Sequence, residues 1–224
     1  MRKKDPVQAV RAFALDLVRQ ADFEEPPICP YSIAARNGLL VREEYLVNSN
    51  TAYAMRVETL SSWLVTLHSG NLPEERCWQL ARKIIEILFP RKEGERLAEQ
   101  VITAGAAELL LPTDWFDPLC RHYKYDLLVL KQKFGNVSYE LLGRRVLLLT
   151  PAVLTVVENA QLTLRLGSEG LHFPPWPTTQ ELDAIWTAHD KGRPVVSDGR
   201  HYCVRAWPVR RSATDRVVAL SFPK

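Results

Sequence analysis

The sequence predicts an α+β protein, because segments with helical periodicity alternate with short strand-like segments that are separated by polar turns. Of the 224 residues, 46% are hydrophobic and 25% are charged, which is typical of a globular chain and excludes the disordered and fibrous classes. Twenty-nine basic residues oppose 26 acidic ones, and the net charge is only +3. Any basic surface that could bind nucleic acid must therefore be local.

No apolar run reaches the roughly twenty residues that a membrane-spanning helix needs, and the N-terminal residues lead into an amphipathic segment. We therefore expect a cytoplasmic protein that does not bind membranes. The four cysteines are isolated from one another along the chain and show no zinc-ligand spacing, which favours free thiols; they are Cys29, Cys77, Cys120 and Cys203.

The N-terminal third predicts a helix over residues 6–20 and a short helix over 31–36, which ends at Asn37-Gly38. Three strand-like segments follow, separated by polar turns at 48–50 and 59–62, and their lengths suit a three-stranded antiparallel sheet. These segments are residues 39–47, 52–57 and 63–68.

Two longer helices come next. The first begins at Pro73, with Glu74 and Glu75 in its first turn, and ends before Pro90. The second follows a charged turn at 91–95 and runs to Pro112. Its expected inward residues are Leu97, Val101, Ala104, Ala107, Leu110 and Leu111.

The remaining chain predicts two further parts. Residues 113–150 contain helices over 127–134 and 138–145 whose spacing resembles a helix-turn-helix unit. Residues 151–224 predict a small α+β module with a strand at 162–166 and a helix capped by Thr178. An Asp198-Gly199 hairpin turn and two strands near the C-terminus complete it. We therefore divide the chain into 1–112, 113–150 and 151–224.

Two segments carry a family resemblance. Residues 106–112 read Ala-Ala-Glu-Leu-Leu-Leu-Pro and follow Gly105, and residues 134–145 combine Phe134, a Val-Ser pair and a closing Arg-Arg pair. Together with the order of the preceding elements, these segments resemble the ImmA/IrrE family of zinc metallopeptidases over residues 6–149, with glycine in place of the family's phenylalanine. The resemblance implies a zincin-like domain and a regulatory setting, since active members cleave repressor proteins. It also implies a sensor-like module at 151–224, because some longer members carry a sensor-like domain after the helical segment.

The resemblance also assigns four chemical positions. In the family, His-Glu-x-x-His on the helix after the sheet supplies two zinc ligands and a general base. The matching positions here are Arg82, Lys83 and Glu86. The third ligand, a glutamate on the next helix, corresponds to Glu99, so one of the four positions is retained.

Arg82 cannot ligate a metal, because a guanidinium has no lone pair to donate and stays protonated. We therefore expect no catalytic residue and no cofactor. Arg82 and Glu86 share one helix face, and Glu99 comes from the facing helix, which predicts a salt-bridge cluster in place of zinc. The alternative that these are solvated surface charges stays open, as does a rearranged metal site with His68 or His122 beside Glu99.

Two other groups of cations suggest further functions. DNA binding by the helix-turn-helix-like segment would use phosphate contacts from Lys131, Lys133, Arg144 and Arg145. The alternative is that the apolar residues of this segment pack on the core and its charges form a solvated rim. The C-terminal strands carry five arginines that suit either an anionic ligand or a protected edge hairpin: Arg200, Arg205, Arg210, Arg211 and Arg216.

These observations predict a catalytically degenerate ImmA/IrrE homologue that binds a repressor-like protein partner or a ligand. An active but atypical zinc metallopeptidase that cleaves a transcriptional repressor is the enzymatic alternative, and zinc would then be its cofactor. A DNA-binding transcriptional regulator is the third possibility.

Overall fold

A computed structural model describes residues 5–46, 51–90, 96–210 and 215–224. The turns predicted at 48–50 and 91–95, and Arg211, lie outside the described residues. The chain forms two compact units, one comprising Met1–Leu119 with Gln132–Val137 and the other Cys120–Lys131 with Ser138–Lys224. The α+β class is confirmed, whereas the functional division at 112 and 150 stays a prediction.

The first unit is built on four helices: α1 (Pro6–Gln20), α2 (Pro30–Arg36), α3 (Pro73–Leu88) and α4 (Glu99–Leu110). Helix α4 packs against both α1 and α3. The bounds of α1 and α3 agree with the sequence prediction, and α2 begins one residue earlier; Pro6, Pro30 and Pro73 each stand in the first turn of these helices. Helix α4 begins at Glu99, later than predicted, and its start carries no side-chain cap.

The inward face of α4 differs from the prediction. Ala104, Ala107 and Leu97 are only half-buried. The buried face is shifted by one residue relative to the prediction and is wider, because α4 contacts helices on two sides. The buried residues of α4 are Val101, Ile102, Gly105, Ala106, Glu108, Leu109 and Leu110.

Three strands form a mixed sheet in the order β1-β3-β2: β1 (Leu39–Glu44), β2 (Tyr53–Val57) and β3 (Ser62–His68). The predicted antiparallel arrangement is wrong for one pair, since β1 runs parallel to β3 and only β2 pairs with β3 in antiparallel fashion. The reason is burial. Residues 65–68 of β3 are all buried, and the most buried strand takes the central position, where both of its edges are hydrogen-bonded.

Three helices follow: α5 (Thr113–His122), α6 (Leu127–Lys133) and α7 (Tyr139–Val146). The bounds of α6 and α7 lie within one residue of the predicted helices. The hydroxyl of Ser138 caps α7 by accepting a hydrogen bond from the Leu141 amide at 3.1 Å. Helices α5 and α6 each contribute residues to both compact units.

The second unit contains a five-stranded antiparallel sheet in the order β5-β4-β8-β7-β6. Helix α8 (Thr179–Lys191) packs on β6, β7 and β8, and its capping box between Thr178 and Glu181 is formed as predicted. The strands are β4 (Val153–Glu158), β5 (Gln161–Gly167), β6 (Val195–Asp198), β7 (Tyr202–Arg210) and β8 (Asp215–Pro223).

Strand β4 is absent from the sequence prediction. Its first five residues are all buried, because both faces of the sheet are covered at this point. Leu154 lies against Gly143 of α7, whereas Val157 belongs to the core beneath α8. A strand buried on both faces lacks the alternation of apolar and polar residues by which a half-exposed strand is recognised.

Among the described residues, no helix is long and apolar enough to cross a membrane. The four cysteines are free thiols, as the sequence predicts.

Candidate functional site

The candidate site lies where α3 and α4 face each other in the first unit. Helix α3 buries one apolar face in the core, and Arg82 lies beside that face. The Arg82 side chain extends to α4, where it contacts Glu99. Glu99 stands in the first turn of α4. The packing of the two helices therefore brings together two side chains that are 17 residues apart in the chain.

Arg82 and Glu99 form a bidentate ion pair. Nη1 of Arg82 donates to Oε1 of Glu99 at 2.6 Å, and Nη2 donates to Oε2 at 2.8 Å. The hydroxyl of Thr103, one turn further along α4, accepts a hydrogen bond from Arg82 at 3.1 Å and donates to Glu99 at 3.3 Å. The guanidinium also lies 6.0 Å from the ring centre of Trp78.

This geometry stabilises both charges. Hydrogen bonding to Glu99 raises the pKa of Arg82, although burial opposes the shift, and the charge of Glu86 adds to it. Hydrogen bonding from Arg82 lowers the pKa of Glu99 against a smaller opposing effect of burial. Both groups are therefore ionised near neutral pH.

Lys83 and Glu86 form a separate ion pair along α3, with Nζ of Lys83 2.7 Å from Oε2 of Glu86. The sequence hypothesis placed Glu86 in one cluster with Arg82 and Glu99. The structure joins Arg82 to Glu99 and to Thr103 instead, and it pairs Glu86 with its neighbour three residues earlier. The role of Thr103 was missed, because a single threonine on an amphipathic helix carries no distinguishing pattern.

The residues at these four positions do not fit a zinc site. A guanidinium offers no lone pair, and both carboxylate oxygens of Glu99 already accept hydrogen bonds from Arg82. Within the described ranges, no group of three histidine, cysteine, aspartate or glutamate side chains comes together as metal ligands. His68, one alternative ligand, accepts a hydrogen bond from the Leu46 amide at 2.9 Å, and the ring of His122 lies 4.7 Å from that of Tyr123.

Glu108, the glutamate of the 106–112 motif, has a structural role. It is 1% exposed. Its carboxylate accepts hydrogen bonds from the Thr113 amide at 2.7 Å and the Thr113 hydroxyl at 2.9 Å. Because Thr113 begins α5, this buried carboxylate caps the helix and satisfies an amide that has no partner within it.

The four predicted nucleic-acid contacts occupy different environments. Arg145 is 6% exposed, and Arg144 pairs with Glu140 at 2.9 Å. Lys131 is half-buried. Lys133 is exposed, but it lines a groove whose other charged residues are three carboxylates: Glu24, Glu25 and Asp114. A phosphate group at Lys133 would face this negative charge.

Two arginines of the C-terminal group have partners inside the second unit. Arg216 pairs with Glu140, and its side chain is only 10% exposed. Arg205 donates to the carbonyl oxygen of Lys124, and its guanidinium lies 5.8 Å from the ring centre of Phe222. These contacts reduce the number of cations that an anionic ligand could reach on the strand face.

The fold is shared with a known structure. The structure is similar to that of a Mycobacterium tuberculosis transcriptional regulator, with a TM-score of 0.68 and 15% sequence identity. The similarity covers 96% of this chain and 76% of the regulator's chain. No protein-family model and no curated protein matches the sequence. At this identity the likeness establishes the fold alone, and the ImmA/IrrE resemblance stays a hypothesis.

Proposed function

We propose that this chain is a catalytically degenerate, regulatory relative of the ImmA/IrrE metallopeptidases that binds a repressor-like protein or a ligand without hydrolysing it. The observation that carries the proposal is the bidentate ion pair between Arg82 and Glu99, at two positions where the family places zinc ligands. The regulatory setting rests on the resemblance and on the shared fold, since the structural neighbour is named a transcriptional regulator.

The ion pair opposes metal binding in two ways. A divalent cation at this place would have to displace a guanidinium that makes two charge-assisted hydrogen bonds to Glu99. It would also approach a fixed positive charge, which repels it. Lys83, at the position of the general base, forms an ion pair with Glu86, whose Oε2 lies 2.7 Å from Nζ.

Rebuilding the family motif tests the proposal. The variant Arg82→His/Lys83→Glu/Glu86→His restores two imidazoles one helical turn apart and leaves Glu99 free to ligate. Zinc content is measured after purification without chelators. If the helices have zincin-like geometry, we expect the rebuilt variant to bind about one zinc per chain and to lose it on Glu99→Ala.

The wild-type chain should hold no zinc that depends on Glu99. Stoichiometric zinc in the wild type that disappears with Glu99→Ala would overturn the proposal and favour the atypical metallopeptidase. Failure of the rebuilt variant to bind zinc, with its fold preserved by circular dichroism, would instead contradict the family resemblance.

The regulatory part is tested in cells. Transcript levels are compared between a strain that lacks the gene, the same strain complemented with the wild-type chain, and the parent. We expect a set of transcripts to change on deletion and to return on complementation, while the repressors of those genes stay full-length. Transcript levels that do not change on deletion would refute a regulatory role. A repressor that is cut only when the protein is present would refute binding without hydrolysis.

A further inference from the structure

A groove of about 550 Å³ opens on the first unit. Helix α5 contributes Trp115, Pro118 and Leu119 to its lining, and residues 24–27 contribute a second part. Gln132 and Lys133 at the end of α6 complete the described lining together with Asp114. The groove shares no residue with the Arg82–Glu99 site, so the inference below does not depend on the proposed function.

The walls are anchored to the core. Phe116, adjacent to Trp115, is fully buried, and its ring centre lies 5.5 Å from that of Phe134, which follows α6. The Asn136 side-chain amide donates to the carbonyl oxygen of Ile28 at 2.8 Å, and Ile28 is itself buried. These contacts hold the lining in place, which reduces the entropy that binding would cost.

Helix α5 is apolar on two faces. Its inward face carries the buried Phe116 and Cys120, while Trp115, Pro118 and Leu119 lie three and four residues apart on the groove side. Trp115 is half-buried and Pro118 is exposed. An aromatic ring and a proline ring on an open wall offer flat apolar surface to an incoming side chain.

The rim of the groove is acidic. Among the described lining residues, Glu24, Glu25 and Asp114 oppose one cation, Lys133. Arg19 lies 3.7 Å from Asp114, but both side chains are more than half exposed and their attraction is screened by water. The balance of charge favours a cationic occupant and disfavours nucleic acid.

We propose that this groove binds an arginine-bearing segment of a partner protein. A guanidinium can stack flat on the Trp115 ring and donate two parallel hydrogen bonds to a rim carboxylate at the same time. Lysine carries the same charge as a compact, strongly hydrated ammonium and cannot combine both contacts. The groove therefore discriminates by the shape of the cation as well as by its charge.

Calorimetry with the full-length protein and three capped hexapeptides tests the proposal. The peptides are identical except that two positions between prolines carry arginine, lysine or neutral citrulline. We expect the arginine peptide to bind, the lysine peptide to bind several-fold more weakly and the citrulline peptide not to bind measurably. Affinity for the arginine peptide should fall as salt is raised, because the rim charges are exposed.

Matched variants locate the binding. Glu24→Gln/Glu25→Gln should raise the dissociation constant about tenfold, which corresponds to two exposed charge pairs. Glu169→Gln/Asp183→Asn, an equal charge change at exposed positions of the second unit, should leave it unchanged. Trp115→Leu should weaken binding, whereas Trp176→Leu should not.

Several outcomes would overturn the proposal: equal affinity for the arginine and citrulline peptides, equal loss in both charge variants, or tighter binding of an all-glutamate peptide or of duplex DNA. The charge variants replace exposed side chains, so a thermal unfolding curve that coincides with the wild type would show that any loss of binding is local.

Discussion

At the residue scale, the Arg82–Glu99 ion pair determines which polar groups lie between α3 and α4, but it adds little to the stability of the fold. The Glu99 side chain is 71% exposed, so water screens its attraction to Arg82. The bidentate geometry nevertheless gives the guanidinium a defined orientation between α3 and α4, with Thr103 bridging both charges. The pair therefore fixes the orientation of the guanidinium while it contributes little to folding.

Replacement of Glu99 tests this distinction. Glu99→Gln should lower the free energy of unfolding by less than about 1 kcal/mol at neutral pH. The pKa of Glu99 is lowered in the folded chain, so its contribution is present above the ordinary pKa of about 4.5 and disappears as pH falls through the folded value.

Urea denaturation of wild type and variant across this pH range provides the measurement. The difference between them should shrink on acidification, and Glu169→Gln should show no such pH-dependent difference. A large loss that persists in acid would mean that Glu99 supports the fold in some way other than through its charge.

At the element scale, Gly105 permits the close packing of α4. A Cβ atom built at this position would lie 2.6 Å from Cγ2 of Val10 on α1 and 3.0 Å from Cγ2 of Ile85 on α3. Both neighbours are fully buried and β-branched, so neither can move away easily. A side chain larger than that of glycine therefore has no room at this position.

Gly105→Ala should therefore destabilise the protein by about 1–3 kcal/mol, although alanine favours helix by about 1 kcal/mol over glycine. Chemical denaturation measures the change. Gly135→Ala is the matched control, because a Cβ atom there meets no neighbour within 4 Å. A stabilised Gly105→Ala variant would show that α1 and α4 lie further apart than described.

In the second unit, a buried ion pair connects β5 to α8. Arg165 donates from both terminal nitrogens to Glu181 at 3.1 and 3.0 Å, and the two side chains are 6% and 3% exposed. Ser221 of β8 donates to the same carboxylate at 2.6 Å. Burial alone would raise the pKa of Glu181, but hydrogen bonds from Arg165, Ser221 and Thr178 outweigh it and lower the pKa.

Glu181→Gln should cost about 3–5 kcal/mol, because it leaves the buried Arg165 charge uncompensated. Arg165→Met/Glu181→Leu should cost less than Glu181→Gln, since neither charge remains. Denaturant unfolding at neutral pH compares the two. Because the pKa of Glu181 is lowered on folding, the stabilisation should be lost as pH falls through its folded value. A double variant that is less stable than Glu181→Gln would contradict this account.

At the scale of the whole molecule, the charge distribution bears on DNA binding. Of the four proposed phosphate contacts, Lys133 and Arg144 are exposed and Lys131 is half-buried, whereas Arg145 is buried. With at most three contributing cations, the slope of log affinity against log salt for duplex DNA should be no steeper than about −3.

Fluorescence anisotropy at several salt concentrations measures this slope. Lys131→Gln/Lys133→Gln/Arg144→Gln should change weak binding only slightly. A steep salt dependence that is abolished by these substitutions would favour the DNA-binding alternative over binding of a protein partner.

The helices could be predicted from sequence where local signals begin or end them. The capping box at Thr178 and the prolines at the starts of α1, α2 and α3 each act within one turn of the chain. The facing positions of Arg82 and Glu99 were expected from the family resemblance, which assigns zinc-ligand positions to both residues, and the ion pair between them agrees with that expectation. The burial of Arg145 and the partner of Glu86 could not be predicted, because they depend on neighbours that periodicity does not identify.

By itself, the sequence determined the α+β class and most helix bounds, because these follow from residue type and short-range spacing. It also determined that residue 82, an arginine, cannot ligate a metal, because a guanidinium has no lone pair to donate. Only the tertiary structure decided that β3 lies between β1 and β2, that β4 is buried on both faces and that the walls of the acidic groove come together. Each of these depends on contacts between distant segments, where competition for burial outweighs local preference.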